Sequence, residues 1–101
     1  MAKIKIEQDS KLNEQDAFER LKEVLQDDPE LRKLDSSYSC NFDEAKKSGT
    51  AKGSKFDASL EVKANGGGSN VKIEVKLPLM LSPFKGVVET TLRKKMEKAL
   101  A

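Results

Sequence analysis

Four segments of the chain alternate apolar and polar residues, which is the pattern of strands that bury one face. They cover residues 3–7, 38–42, 55–63 and 71–77. The last is the most regular, because valine, isoleucine or leucine takes every second position and lysine or glutamate takes the positions between them. Residues 65–69 include three consecutive glycines and predict a hairpin turn between the third and fourth strands.

A helix is predicted from Asn13 to Leu25, where apolar residues recur every three or four positions. Asn13 is a suitable N-cap, and acidic residues follow it in the first turn. Pro29 interrupts the pattern, so that the helix bends there or ends, and a short further turn could follow.

A second helix is predicted from about Pro83 to Leu100, with an apolar side and a charged side. Phe84 and Leu92 lie on the apolar side, and we expect them to anchor this helix to the sheet. Its basic residues cluster toward its C-terminal end, where cations offset the helix dipole.

The order β-α-β-β-β-α predicts an α+β fold, with a four-stranded antiparallel sheet and two helices packed on one face. The other face of the sheet should be in contact with water. Residues 43–53 contain lysines and two glycines, and we interpret them as a mobile polar loop. The 101 residues fit a single domain, 1–101.

Charge and composition exclude several classes of protein. With 19 basic and 17 acidic residues the net charge is +2, well below that of a dedicated nucleic-acid binder. The aromatic residues of the predicted strands fall on the helix-covered side, where they cannot stack on bases. Since the chain has neither a signal-peptide pattern nor an apolar run of about 18 residues, we expect a cytoplasmic protein with no transmembrane segment.

The residues for common site chemistry are largely missing. Histidine and tryptophan are absent and there is one cysteine, which argues against histidine-based triads, metal sites and disulfides. Cys40 has no histidine to activate it and shares its strand phase with Tyr38 and Phe42, so we expect a reduced thiol in the core. We predict no catalytic residue, no cofactor and no metal, and expect that the protein is not an enzyme.

Acidic residues fall into two groups, and neither predicts a site. Those on the strands, such as Glu61 and Glu74, alternate with lysines and predict cross-strand charge pairs. Asp27, Asp28 and Glu30 could hold a hard cation, but they lack the spaced ligands and the glycine of a calcium loop, so a solvated helix end is the better interpretation.

The connector of residues 77–84 is unusual because it stays apolar between two prolines. It could close one end of the core, or it could expose Leu79, Met80 and Leu81 as a contact patch. In the second case the basic end of the last helix would flank the patch, through Lys94, Lys95 and Lys98.

The sequence from Val71 to Glu89 resembles the small bacterial polyhydroxyalkanoic acid system proteins, through a leucine-rich strand end followed by Pro-Phe-Lys and an aliphatic-Glu helix. The Ile-x-Ile first strand and Leu12 with Ala17 agree more loosely. The family often has a histidine before that leucine and a glycine after it, whereas Ser10 and Asn13 stand nearby here, which counts against a catalytic role built on that histidine.

This resemblance implies an association with polyester storage granules. The corresponding function is a non-enzymatic accessory protein that meets the granule surface or a granule-bound protein; the oligomeric state stays open. The alternative is a module that binds a small ligand between sheet and helix. Four phenylalanines are available to fill the interior, which argues against a large empty pocket.

Overall fold

A computed structural model of the protein describes residues 2–26, 28–54 and 56–100. Its strands are β1 (Ala2–Ser10), β2 (Ser39–Asp43), β3 (Ser48–Lys52), β4 (Asp57–Asn65) and β5 (Gly68–Leu77). Its α-helices are α1 (Glu14–Gln26), α2 (Pro29–Leu34) and α3 (Lys85–Leu100), and a 3-10 segment (Leu79–Phe84) links β5 to α3.

The five strands form one antiparallel sheet in the order β1-β5-β4-β3-β2. The α+β class and the antiparallel sheet agree with the sequence-based expectation, but the predicted number of four strands is wrong. The β1–β5 pairing joins residues that are distant along the chain: Ala2 lies opposite Leu77, and Ser10 lies opposite Ser69.

The fifth strand lies where a mobile loop was expected, in residues 43–53. Within this range Ser48–Lys52 forms β3, which pairs with both β2 and β4. Its inward residues, Gly49 and Ala51, are too small to produce the apolar alternation by which strands are recognised. The prediction of a loop is therefore wrong here, because backbone pairing with two neighbours specifies this strand and large apolar side chains do not.

The helix start and the hairpin follow from local chemistry. The side-chain oxygen of Asn13 accepts a hydrogen bond from the backbone N–H of Asp16 at 2.8 Å, which confirms the predicted N-cap of α1. Gly66 and Gly67 form the two-residue turn between β4 and β5 with φ of 54° and 89°. Because both φ values are positive, glycine is favoured at both positions.

The first helix ends before Pro29, so α1 and α2 are separate helices. Asp28 lies in this break, but it is not part of a solvated helix end as expected: its side chain is buried and its carboxylate lies 2.7 Å from the Nζ of Lys95 on α3. A lone buried carboxylate would be costly, and the ion pair offsets part of that cost. Asp27 lies outside the described residues.

Both α1 and α3 pack on one face of the sheet, and the core lies between these layers. From α3 the buried side chains are Val88, Leu92, Met96, Ala99 and Leu100. The expected anchor Leu92 is thus in the core, but the exposed fraction of Phe84 is 52%, so its predicted role as a core anchor is wrong.

Candidate functional site

The connector between β5 and α3 exposes apolar side chains. Leu77 is buried at the end of β5, and the chain then turns through the 3-10 segment, in which Leu79 is 72% and Met80 is 80% exposed. Leu81 is half-buried and packs against the core. The connector therefore combines the two predicted alternatives. Leu79 and Met80 are exposed, as a contact patch requires, whereas Leu81 helps to close the core.

Phe84 and Val87, a few residues further along the chain, are also exposed. Among the side chains that the structure describes, the large exposed hydrophobic ones are Leu79, Met80, Phe84 and Val87, all within nine consecutive residues. We call these four residues the apolar patch. Clusters of this kind are uncommon on monomers unless they bind something.

The structure does not bring the predicted lysines to the apolar patch. At 1.5 Å of rise per residue, Lys94 and Lys98 lie about 14 Å and about 20 Å along α3 from Lys85, which borders the patch. Lys95 is mostly buried, with 16% of its side chain exposed, and pairs with Asp28. The basic end of α3 is thus at the far end of the helix from the patch, and one of its three lysines is part of the interior.

A partly open cavity of about 310 Å³ lies between the sheet and α3. The expectation that the phenylalanines fill the interior is wrong. Only Phe18 is fully buried in the core, whereas Phe42 and Phe56 line the cavity and the half-exposed Phe84 lies at its rim. The apolar surface therefore continues from the patch outside, through Phe84, to Val88 and Leu92 inside.

Small residues on two neighbouring strands create this space. Ala51 on β3 and Ala58 on β4 lie directly opposite each other and both line the cavity. On the other side of Ala58, Val75 of β5 fills its position with a larger side chain. Replacing a large inward residue by alanine leaves volume that neighbouring side chains fill only in part, and two adjacent alanines leave a cavity.

Cys40 is half-buried and lines the cavity, so it is not in the closed core where it was expected. Its Sγ lies 3.5 Å from the carbonyl oxygen of Leu25. Burial raises the pKa of the thiol above its ordinary value of 9.0, and the positive charge of Arg32 only partly opposes this effect. A thiol with a raised pKa is a poor nucleophile at neutral pH.

Tyr38 fixes the wall beside Cys40. Its hydroxyl donates a hydrogen bond to the carbonyl of Leu25 at 3.1 Å and accepts one from the backbone N–H of Asp28 at 3.0 Å. The guanidinium of Arg32 lies 4.7 Å from the centre of its ring. Burial raises the pKa of Tyr38. The polar groups of Tyr38 are thereby satisfied, and its ring presents an apolar surface to the cavity.

The predicted cross-strand pairing of strand carboxylates is confirmed at Glu74. Glu74 lies 2.9 Å from the Nζ of Lys3 on the neighbouring strand, and the hydrogen bond from that lysine lowers the pKa of Glu74. Glu61 pairs with Lys63 at 3.2 Å, although along one strand. No cluster of three metal-ligating side chains occurs among the described residues. Over the same part of the chain, no helix has the length and hydropathy needed to cross a membrane.

Comparison of the sequence with protein families places the chain in one of them. The family model of polyhydroxyalkanoic acid system proteins matches residues 4–100. This chain belongs to that family. The resemblance noted from the connector is therefore confirmed. No curated protein matches the sequence.

Within this polyhydroxyalkanoic acid system protein, the two residues that stand near the family's histidine and glycine have local structural roles. The hydroxyl oxygen of Ser10 accepts a hydrogen bond from the backbone N–H of Leu12 at 3.1 Å, and Asn13 caps α1.

Solved structures similar to this family member share its fold at low identity. The Aha1 dimer from Colwellia psychrerythraea has a TM-score of 0.72 at 10% identity, covering 99% of this chain and 94% of that one. TTHA0849 from Thermus thermophilus has a TM-score of 0.60 at 11% identity, covering 97% and 88%. CV1439 from Chromobacterium violaceum has a TM-score of 0.56 at 10% identity, covering 100% and 96%. At such identities the likeness shows the fold alone.

Proposed function

We propose that this protein is a non-enzymatic accessory protein of the polyhydroxyalkanoate system that contacts the polyester granule surface through the apolar patch. The observation that carries the proposal is the position of the four large exposed hydrophobic side chains, which fall together in one short segment. Membership of the family suggests the occupant, because an aliphatic polyester presents an apolar surface of the kind that this patch would bind.

The segment that carries the apolar patch is held in place by the core, so the contact surface is already formed before binding. Leu77 before it and Val88 after it are both buried, and Leu81 packs against the core from within it. The backbone N–H of Leu81 donates a hydrogen bond to the carbonyl of Pro78 at 2.9 Å. Because both ends and the middle are held, Leu79 and Met80 project from an anchored turn, and binding would require little ordering of the chain.

Burial of the patch would supply the free energy for reversible binding. Removing a large aliphatic side chain from water stabilises a complex by about 1.5–3 kcal/mol. Met80 adds an unbranched and adaptable side chain, which suits an irregular polymer surface. Several such side chains together can outweigh the entropy lost on association.

A non-enzymatic role is favoured by the chemistry of the chain. It contains no histidine, and its single thiol has a pKa raised by burial. A nucleophilic cysteine needs a base or a lowered pKa, and Cys40 has neither feature. The proposal therefore assigns function to a surface and leaves no reaction to Cys40.

The test is Met80→Lys, assayed by co-sedimentation of the purified protein with isolated granules. Because Met80 is exposed, folding stability should stay within about 0.5 kcal/mol of the parent. Loss of one apolar contact and introduction of a charge should weaken binding about tenfold or more. The matched control is Ala45→Lys, which adds the same charge at an exposed position outside the patch.

Two results would contradict the proposal. A folded Met80→Lys variant that sediments like the parent would place the contact elsewhere. Bare polyester particles without proteins provide the second arm: a parent protein that binds native granules but not bare particles would mean that the partner is a granule-bound protein.

A further inference from the structure

The cavity between the sheet and α3 has a distinctive charge distribution. Most of the residues that line it are aliphatic or aromatic. Thr50 and Ser59 belong to the lining, but they are exposed and alternate with inward residues on their strands, so their hydroxyls face away from the cavity. Lys33, at the end of α2, is the one charged residue among the described residues of the lining.

From this distribution we propose that the cavity binds an aliphatic carboxylic acid of medium chain length. The chain lies against Ala51, Ala58 and Val88, and the carboxylate pairs with the ammonium of Lys33 at the rim. This inference goes beyond the proposed granule contact and does not rest on it.

The chemistry of the lining defines the class of ligand. An apolar wall favours an aliphatic chain, and it disfavours ligands with several polar groups, which would lose hydrogen bonds with water on entry. A single exposed cation at the rim pairs with a single anionic end and lets that end stay partly in water. No carboxylate belongs to the described lining, so nothing there repels an anion.

The volume sets the length of the chain. If each methylene occupies about the 30 Å³ that a water molecule takes in the liquid, a cavity of about 310 Å³ holds about ten heavy atoms. An acid of about eight to ten carbons fits the space, and one of about sixteen extends beyond it.

The reactivity of Cys40 can report whether a ligand occupies the cavity. Its thiol lines the cavity and is the only thiol of the chain, so a bound chain should shield it. The first experiment measures the labelling rate of native protein by a soluble thiol reagent with increasing decanoate, below the concentration at which decanoate forms micelles. We expect labelling to slow about tenfold at saturation, with octanoate similar and hexadecanoate weaker. Unchanged labelling at all decanoate concentrations, together with no heat of binding in calorimetry, would overturn the inference.

A cavity-filling variant locates the ligand. Ala58→Leu places a larger side chain in the cavity and should weaken decanoate binding at least about tenfold. Ala64→Leu is the matched control, because it makes the same change on the same strand at an exposed position. Ala51→Leu fills the same space from β3 and serves if Ala58→Leu does not fold. A folded filling variant that binds decanoate like the control would overturn the inference.

A variant at Lys33 tests whether the ligand is a free acid or an ester of the same chain length. Lys33→Met should weaken decanoate binding about threefold to fivefold and leave the binding of methyl decanoate unchanged, since a charge pair at an exposed lysine contributes no more than about that factor. Lys52→Met, at an exposed lysine outside the lining, is the control. Equal affinity of the native protein for decanoate and methyl decanoate would overturn the assignment of the acid end, because the ion pair with Lys33 would then contribute nothing to binding. Granules are absent from all of these measurements, so failure here is distinguishable from failure of the granule contact.

Discussion

At the scale of single residues, Phe84 and Leu92 differ in environment although periodicity assigns them to one side of a helix. Leu92 is 5% exposed and lies in the core, so Leu92→Ala should reduce the free energy of unfolding by about 2–5 kcal/mol. Phe84→Ala should cost less than about 1 kcal/mol, because half of that side chain is already in water. Urea denaturation of both variants measures this difference. Equal losses would contradict the arrangement described for the cavity rim.

The position of Phe84 could not be predicted from periodicity. α3 begins at Lys85, one residue later, and Phe84 belongs to the preceding 3-10 segment, in which residues repeat every three positions. A pattern of three and four positions continues across such a junction without revealing it. Leu92, which lies inside the regular helix, was predicted correctly.

Cys40 gives the stability a dependence on alkaline pH. Because burial raises the pKa of its thiol above 9.0, the folded protein holds this proton more tightly than the unfolded chain does. The resulting stabilisation is complete below about pH 9 and is lost as pH rises through the raised pKa. The urea concentration at the unfolding midpoint should therefore be lower at about pH 10 than at about pH 8. The difference between the two pH values should be smaller in Cys40→Ala. Tyr38, whose pKa is also raised, should account for a remaining decrease in both proteins.

Parallel slopes of midpoint against pH in the parent and in Cys40→Ala would contradict this account. The same variant also tests whether the thiol is needed for function. Cys40→Ala should fold and still sediment with granules, because the thiol is not part of the apolar patch.

At the scale of secondary-structure elements, the ion pair of Asp28 and Lys95 joins the α1–α2 break to α3. Lys95→Met should destabilise the fold by about 3 kcal/mol, because it leaves a buried carboxylate without this cation. Lys94→Met, at the exposed neighbouring position, should stay within about 0.5 kcal/mol. Thermal or urea unfolding of the two variants provides the measurement. If both variants are equally stable, the pair does not hold these elements together.

Strands and helices with large apolar residues were predicted from the sequence, and the element with small ones was not. β5 was recognised because valine and isoleucine alternate with charges along it. β3 was not predicted, because its inward positions hold the small residues Gly49 and Ala51. The cavity was not predicted for the same reason, since Ala51 and Ala58 create it only when β3 and β4 pair. The adjacent small residues could have indicated the cavity, but only after the pairing of these strands was known.

At the scale of the whole molecule, the apolar patch and the cavity are neighbours with separate residues. Met80 belongs to the patch and does not line the cavity, whereas Ala58 lines the cavity and is not part of the patch. Phe84 is the residue that they share. The two proposals can therefore be tested separately with variants at Met80 and Ala58, and Phe84 is the position at which binding of a chain and contact with a surface could affect each other.

The pairing of β1 with β5 has a consequence for how the chain acquires its structure. A ribosome releases β1 first, but its partner is complete only after Leu77 has been made, so β1 must wait through the synthesis of four other strands. During that time Ile4 and Ile6 are exposed, because α3, which packs on β1, is made later still, and an unpaired apolar strand can associate with other chains. Closing so long a loop also slows folding, because its entropic cost precedes the contacts that repay it. The nascent protein should therefore depend on chaperones more than its small size suggests.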